Sequence, residues 1–172
     1  MAGVHVLVLG RDGPQFVHEE HPLHEEHQAY MDRWLPRLLA RGPLLSPDEH
    51  EGSVHVVRVD DPHMGHAFAF EEPFAAAGWY AAVTVTPYLP LTDGTMWDRP
   101  RAPRGTRSSF VTATSTPGGT YDDWVFAGSL LDADGLVVGF AGALDLTEHE
   151  AAARVPGAEV SRWRRGGRDQ EV

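Results

Sequence analysis

Ten histidines stand in a chain with no cysteine and no lysine, so side-chain catalysis falls to His, Asp, Glu, Arg, Tyr, Ser and Thr. Thiolate nucleophiles, disulfides, iron–sulfur clusters and cysteine zinc sites are excluded, as are Schiff-base and P-loop lysines. Four histidines, His18, His21, His24 and His27, recur every third residue with Glu19, Glu20, Glu25 and Glu26 between them. Imidazole changes charge near neutral pH, and a neighbouring carboxylate fixes its tautomer and stabilises its charged form. That combination moves protons. The same residues suggest a metal, because His24 and His27 share one helix face. Each His-Glu-Glu-His run, however, spaces its histidines three apart rather than four, and His18 and His21 precede Pro22. No metal and no cofactor are expected.

The elements that must hold these residues are legible from periodicity. Val4 to Leu9 reads as a buried strand ended by Gly10 and the Asp12-Gly13-Pro14 turn. From Leu23 to Arg41 the apolar residues Leu23, Tyr30, Met31, Trp34, Leu35, Leu38 and Leu39 recur at helical spacing, started by Pro22 and kinked at Pro36. Leu44-Leu45 and Ser53 to Val59 read as strands, Pro62 to Phe70 as a helix capped by Asp60 or Asp61, and Trp79 to Val85 as a strand. The order β-α-β-β-α-β is ferredoxin-like, an α+β fold with an antiparallel sheet.

Pro90, Pro100 and Pro103, with Pro87 just ahead of them, make residues 89–107 a linker. Beyond it come strands at Phe110 to Ser115, Trp124 to Leu131 and Leu136 to Leu144, the last two joined by an Asp134-Gly135 turn. Thr147 with Glu150 forms a capping box ahead of a short helix, and Val160 to Arg164 is the last strand. Gly128-Ser129-Leu130-Leu131 echoes Gly42-Pro43-Leu44-Leu45, so residues 108–165 read as a degenerate copy of residues 1–88. Gly118-Gly119 stands where the first helix would be, and residues 166–172 form a flexible tail. A pseudo-dimer within one chain is expected, and a homodimer of such chains is compatible with it.

A net charge of −11 argues against nucleic acid as a partner, since phosphate binding needs clustered cations. The basic cluster of Arg162, Arg164, Arg165 and Arg168 reads as a solvated end. Absence of Lys, Ile and Asn together fits a GC-rich bacterial genome. No apolar run approaches the roughly 20 residues that span a bilayer, and the N-terminus enters a strand pattern without a basic segment. No membrane partner and a cytoplasmic location are expected.

The run His24-Glu25-Glu26-His27-Gln28-Ala29-Tyr30, then Gly42-Pro43-Leu44-Leu45, Gly52-Ser53 and Glu72-Pro73-Phe74 with Gly78, resembles the YCII-related family of the dimeric α/β-barrel superfamily over residues 1–88. The resemblance implies a His–carboxylate pair in a cleft between helix and sheet, with His27 in the histidine's place and Glu72 in that of the family's aspartate. Glu71 stands beside it, and His24 stands where an arginine is common. One family activity is elimination of HCl from a chlorinated aromatic; related barrels act as isomerases, cyclases, decarboxylases and cofactor-free oxygenases. His27 and Glu72 are therefore the expected catalytic pair, and His24, Tyr30, Trp34, Glu71, Phe74 and Trp79 the expected substrate-binding wall. The expected function is a cofactor-independent lyase, isomerase or cyclase of secondary metabolism. It would act on a small aromatic or polyketide-like molecule by elimination, isomerisation or cyclisation. A non-catalytic small-molecule-binding or scaffold protein is the alternative.

Overall fold

A computed structural model describes residues 3–168. Strand β1 (Val4–Asp12) alternates as the sequence dictates, sending Val6 and Val8 to one face and Leu7 and Leu9 to the other. Helix α1 (Pro22–Trp34) starts at His21, whose Nδ1 accepts from the Leu23 amide at 3.1 Å, and it buries His27, Tyr30 and Met31. It stops well short of Arg41. Pro36 cannot donate to the helix ladder, so Leu35–Arg37 tightens into a 3-10 turn and the chain leaves as β2 (Leu38–Leu45). There follow β3 (His50–Val59), α2 (Pro62–Phe70), the short α3 (Pro73–Ala76) and β4 (Tyr80–Pro90). Asp61 caps α2 by accepting from the Met64 amide at 2.9 Å.

The second half contributes β5 (Ser108–Ala113), β6 (Trp124–Leu131), β7 (Val137–Leu144), α4 (Glu148–Arg154) and β8 (Glu159–Trp163). Thr147 and Glu150 form the expected capping box. All eight strands close into one antiparallel barrel in the order β1-β3-β2-β8-β5-β7-β6-β4. Each half therefore keeps the ferredoxin-like order, β4-β1-β3-β2 and β8-β5-β7-β6, and the two sheets are sewn together at two seams. At one seam Leu44 pairs with Trp163; at the other Leu130 pairs with Tyr88.

The repetition extends to register. Leu44 faces Gly52 and Leu130 faces Gly139; both hairpins shift register again at their outer ends, between Leu38 and Ala40 and between Trp124 and Phe126. Two glycines are required at the seams. A β-carbon on Gly42 would lie 1.9 Å from the Arg164 carbonyl, and one on Gly128 would lie 2.2 Å from the Tyr88 ring. The chain closes its barrel without free edges at these crossings, which removes a template for unwanted strand pairing.

The barrel interior holds Leu7, Leu44, Val54, Val56, Tyr88, Phe110, Phe126 and Trp163. Met96 joins them at 1% exposure, its amide donating to the Leu39 carbonyl at 2.8 Å. Part of the expected linker is therefore core, because β4 runs on to Pro90 and the following segment folds back over β2. Outside the first sheet, α1 and α2 cover Val6, Val8, Val57 and Val59 with Tyr30, Met31, Phe68 and Ala69. Outside the second sheet only α4 remains, and the loop between β5 and β6 fills the place of a first helix with Tyr121, packed against Trp124 and Phe140.

The basic end is not simply solvated. Arg165 bonds Asp145 and three backbone carbonyls, Arg162 bonds Asp48, and Arg168 bonds Glu25 and Asp32 on α1. Residues 166–168 of the expected tail are thus tied down, the Gly166 amide donating to the Arg41 carbonyl at 2.8 Å, while residues 169–172 lie outside the described residues.

Candidate active site

His27 sits on the buried face of α1, and Glu72 sits in extended backbone just before α3. The Glu72 carboxylate accepts from the Phe74 amide at 3.0 Å and the Ala75 amide at 3.1 Å, so the short helix fixes its rotamer. Its Oε1 also accepts from His27 Nδ1. The imidazole lies flat on Phe74, ring centres 4.2 Å apart and planes 2° from parallel. With Nδ1 committed to the carboxylate, Nε2 is the nitrogen left for chemistry. His27 and Glu72 are 7% and 3% exposed, a buried pair rather than a surface contact.

His27 lines an open cleft of about 810 Å³ between α1, the turn end of the β2–β3 hairpin, and the chain after β8. His55 on β3 lines it too, its ring 6.0 Å from that of His27. Full burial pushes the His55 pKa well down, helped by nearby His27 and Arg41, so this imidazole is neutral. His24 donates from Nε2 to the Val17 carbonyl at 3.0 Å, and burial lowers its pKa as well. Arg41 on β2 is 3% exposed and donates to Gln28 at 2.8 Å, with Asp32 at 4.0 Å. Burial lowers its pKa, yet a guanidinium stays charged. His50 completes the far wall, its Nδ1 2.7 Å from Asp12 Oδ2 and its ring stacked on Phe16 at 4.5 Å. Ser53 lies between, hydrogen-bonded to Tyr80 at 2.8 Å. Burial, together with Glu72 and Asp12, pushes the Tyr80 phenol well above its ordinary value, so it stays protonated.

The residues expected from sequence divide in three. His27, Glu72, His24 and Phe74 come together at the cleft. Trp79 lies behind it, stacked on Phe74 at 5.2 Å and edge-on to Phe16, so it supports the wall without lining it. Tyr30, Trp34 and Glu71 are elsewhere. One and two turns beyond His27, the α1 face has left the cleft, and Tyr30 and Trp34 pack on Phe68, with the Tyr30 hydroxyl donating to the Phe68 carbonyl. Glu71 ends α2 in solvent. His21 is spent on capping α1, and among the described residues no three His, Cys, Asp or Glu side chains converge as metal ligands. Sequence reading missed His50, His55, Arg41, Asp12 and Phe16. The available signal was Ser53 and His55 alternating with Val54 and Val56, polar groups on the face of β3 that a helix must cover.

A model of the YCII-related domain matches residues 4–89, which is 86 of the 172 residues. The chain belongs to the YCII-related family. The matched span contains β1 to β4 and both members of the His27–Glu72 pair. A search of curated proteins finds no match. Among solved structures, the chain is similar to 5-chloro-2-hydroxyhydroquinone dehydrochlorinase of Burkholderia phenoliruptrix, solved with 2,5-dihydroxybenzoquinone. The identity is 22% over 47% of this chain and 89% of that one, with a TM-score of 0.39. It is also similar to two provisionally named monooxygenases. That of Fusobacterium nucleatum is 8% identical over 96% of this chain and 94% of that one, TM-score 0.50. That of Lactobacillus acidophilus has the same identity and coverages, TM-score 0.49. The Fusobacterium protein spans both halves and shows a shared overall fold, not a shared activity. Outside the family match, the repeated register sets Ala127, Phe140 and Gly142 where the first half has Arg41, Ser53 and His55, so these cleft side chains belong to one half.

Proposed function

We propose that the protein is a cofactor-independent enzyme that moves a proton on a small organic molecule, by elimination, isomerisation or cyclisation. One observation carries this reading: a buried imidazole, locked by a carboxylate on one nitrogen, lines an open cleft with its other nitrogen uncommitted. His27 is the base that takes a proton, and Glu72 the residue that orients it and stabilises the imidazolium. Phe16 and Phe74 give the wall an apolar lining beside the histidines. His24 borders the substrate, while Arg41 supplies a fixed positive charge for an oxygen that gains electron density. The second half serves as a built-in partner that closes the barrel. The partner in this reading is the small-molecule substrate rather than nucleic acid or membrane. No helix among the described residues is long and apolar enough to cross a membrane.

The test is deuterium exchange and halide release in D2O, read by NMR over a panel of small ketones, phenols and halogenated hydroxyarenes. The wild-type protein should exchange or eliminate at least one, and His27→Gln should lower that rate by about 100-fold or more. Ligands that raise the melting temperature equally in wild type and His27→Gln, with no exchange in either, would make it a binding protein instead.

A further inference from the structure

We propose that His50, held by Asp12, is a second proton-transfer residue of the same cleft, giving a proton where His27 takes one; the proposal rests on the acid–base reading above. The two pairs are built alike. Each imidazole offers Nδ1 to a carboxylate, and each ring is stacked on a phenylalanine, His27 on Phe74 and His50 on Phe16. The two phenylalanines touch edge to face at 5.4 Å, so the four rings form one continuous wall. Both histidines line the cleft. A reaction that removes a proton at one atom of a substrate must protonate or stabilise another, and two separately held imidazoles meet that need.

The carboxylates differ in a way that assigns the roles. Glu72 is satisfied three times, by His27 and by two backbone amides. Asp12 has His50 on Oδ2, while its Oδ1 is buried with no hydrogen-bond partner among the described residues. Asp12 therefore has His50 as its one side-chain partner among these residues, and we assign the giving of the proton to this singly tied pair. His27, whose carboxylate is already neutralised in part by the amides, is free to act as the base.

In an elimination, His27 takes the proton of a C–H or O–H bond, and that bond's electron pair forms the new π bond. The electron pair of the breaking bond goes to the departing group, which His50 protonates. In an isomerisation the carbonyl oxygen takes that proton instead. The substrate loses one proton to His27 and gains or releases one through His50, and the protein's charge does not change. The open cleft lets solvent return the proton from His27 to His50.

Benzisoxazole and its nitro derivative test this without the natural substrate. Ring opening removes one ring C–H proton, breaks the N–O bond, forms a nitrile and leaves a phenolate oxygen at the far end. The nitrophenolate needs little protonation, and the plain phenolate needs much. His27→Gln should lower kcat/KM on both compounds by about 100-fold or more. His50→Gln should lower it by about 10- to 100-fold on benzisoxazole but by less than about 3-fold on the nitro compound, and Asp12→Asn should follow the same asymmetry more weakly. Losses for His50→Gln that are equal on the two compounds, or absent, overturn the second pair while leaving His27 as the base. An undiminished His27→Gln overturns the acid–base reading itself. A wild-type rate no higher than that of the His27→Gln/His50→Gln double variant overturns both.

Discussion

Glu72 performs two tasks, and a thermodynamic cycle separates them. Replaced by Gln, it keeps an oxygen that can accept from the Phe74 amide and from His27, but it turns an NH2 group toward the Ala75 amide at the Oε2 position. One capping bond is lost, about 1 kcal/mol, and a charge-assisted bond to His27 becomes a neutral one, about 1 kcal/mol more. Glu72→Gln should therefore cost about 2 kcal/mol. His27→Ala removes the bond and the stack on Phe74, about 2–3 kcal/mol together, while leaving Glu72 its two amides. Because the His–Glu bond is counted in both singles, the double variant should fall short of their sum by about 1–2 kcal/mol. In a chain of this length that shortfall is about 2–8 °C of melting temperature. Urea unfolding followed by tryptophan fluorescence measures all four proteins on one scale. Coupling under about 0.5 kcal/mol, the additivity range of independent sites, would refute the claim that the buried pair acts as a unit.

Three further outcomes follow from packing and protonation. His55 is held neutral by burial, so the unfolded chain binds a proton below the ordinary value of 6.5 while the folded one does not. Stability should be level above that pH and fall below it by up to about 1.4 kcal/mol per pH unit. His55→Gln should flatten the slope, with His24 and His5 contributing the remainder in the same direction; an unchanged slope by calorimetry would contradict this. Met96→Ala should cost about 2–5 kcal/mol in denaturant titrations, because it empties a site inside the barrel, and a cost under about 0.5 kcal/mol would return residues 89–107 to linker status. Gly42→Ala and Gly128→Ala should each destabilise by about 1–3 kcal/mol through the same seam collision, and a melting temperature left unmoved in either would break the proposed equivalence of the seams.

What sequence revealed followed from local chemistry. Val-rich alternation marked β1 and β3, the Asp134-Gly135 turn marked the β6–β7 hairpin, and Thr147 with Glu150 fixed the start of α4. The end of α1 was misread because Leu38 and Leu39 continue the helical spacing; pairing of β2 with β3 overrides that pattern once Pro36 has interrupted the ladder. His27 and Glu72 could be paired only through family resemblance, since 45 residues separate them. Asp12 and His50 had no such guide. They meet because β1 pairs with β3 in a register that sets Arg11 opposite Gly52, a relation no local window contains.

Why only one half keeps the His27 cleft follows from how the barrel closes. Both halves must present the same seam, Leu and Gly on one strand against an aromatic on the other, or the sheets would not join. Nothing demands that both keep a cleft. Where the first half leaves a gap under α1, the second fills it with Phe140 and Tyr121, and Gly142 lets Trp124 lie against the strand with a ring carbon 2.8 Å from where a β-carbon would be. The second half still reaches the first half's site. Leaving the seam at Trp163, the chain hydrogen-bonds along β2 at Pro43 and Arg41 and delivers Arg164 and Arg168 to the cleft rim. Its partner segment leaves the other seam in the same way, the Leu91 amide donating to the Ala127 carbonyl, but there Leu91 packs with Tyr121 and Phe140. The same crossing that seals the barrel therefore sets Arg164 and Arg168 on the rim of the first half's cleft, where Arg168 is held by Glu25 and Asp32 of α1.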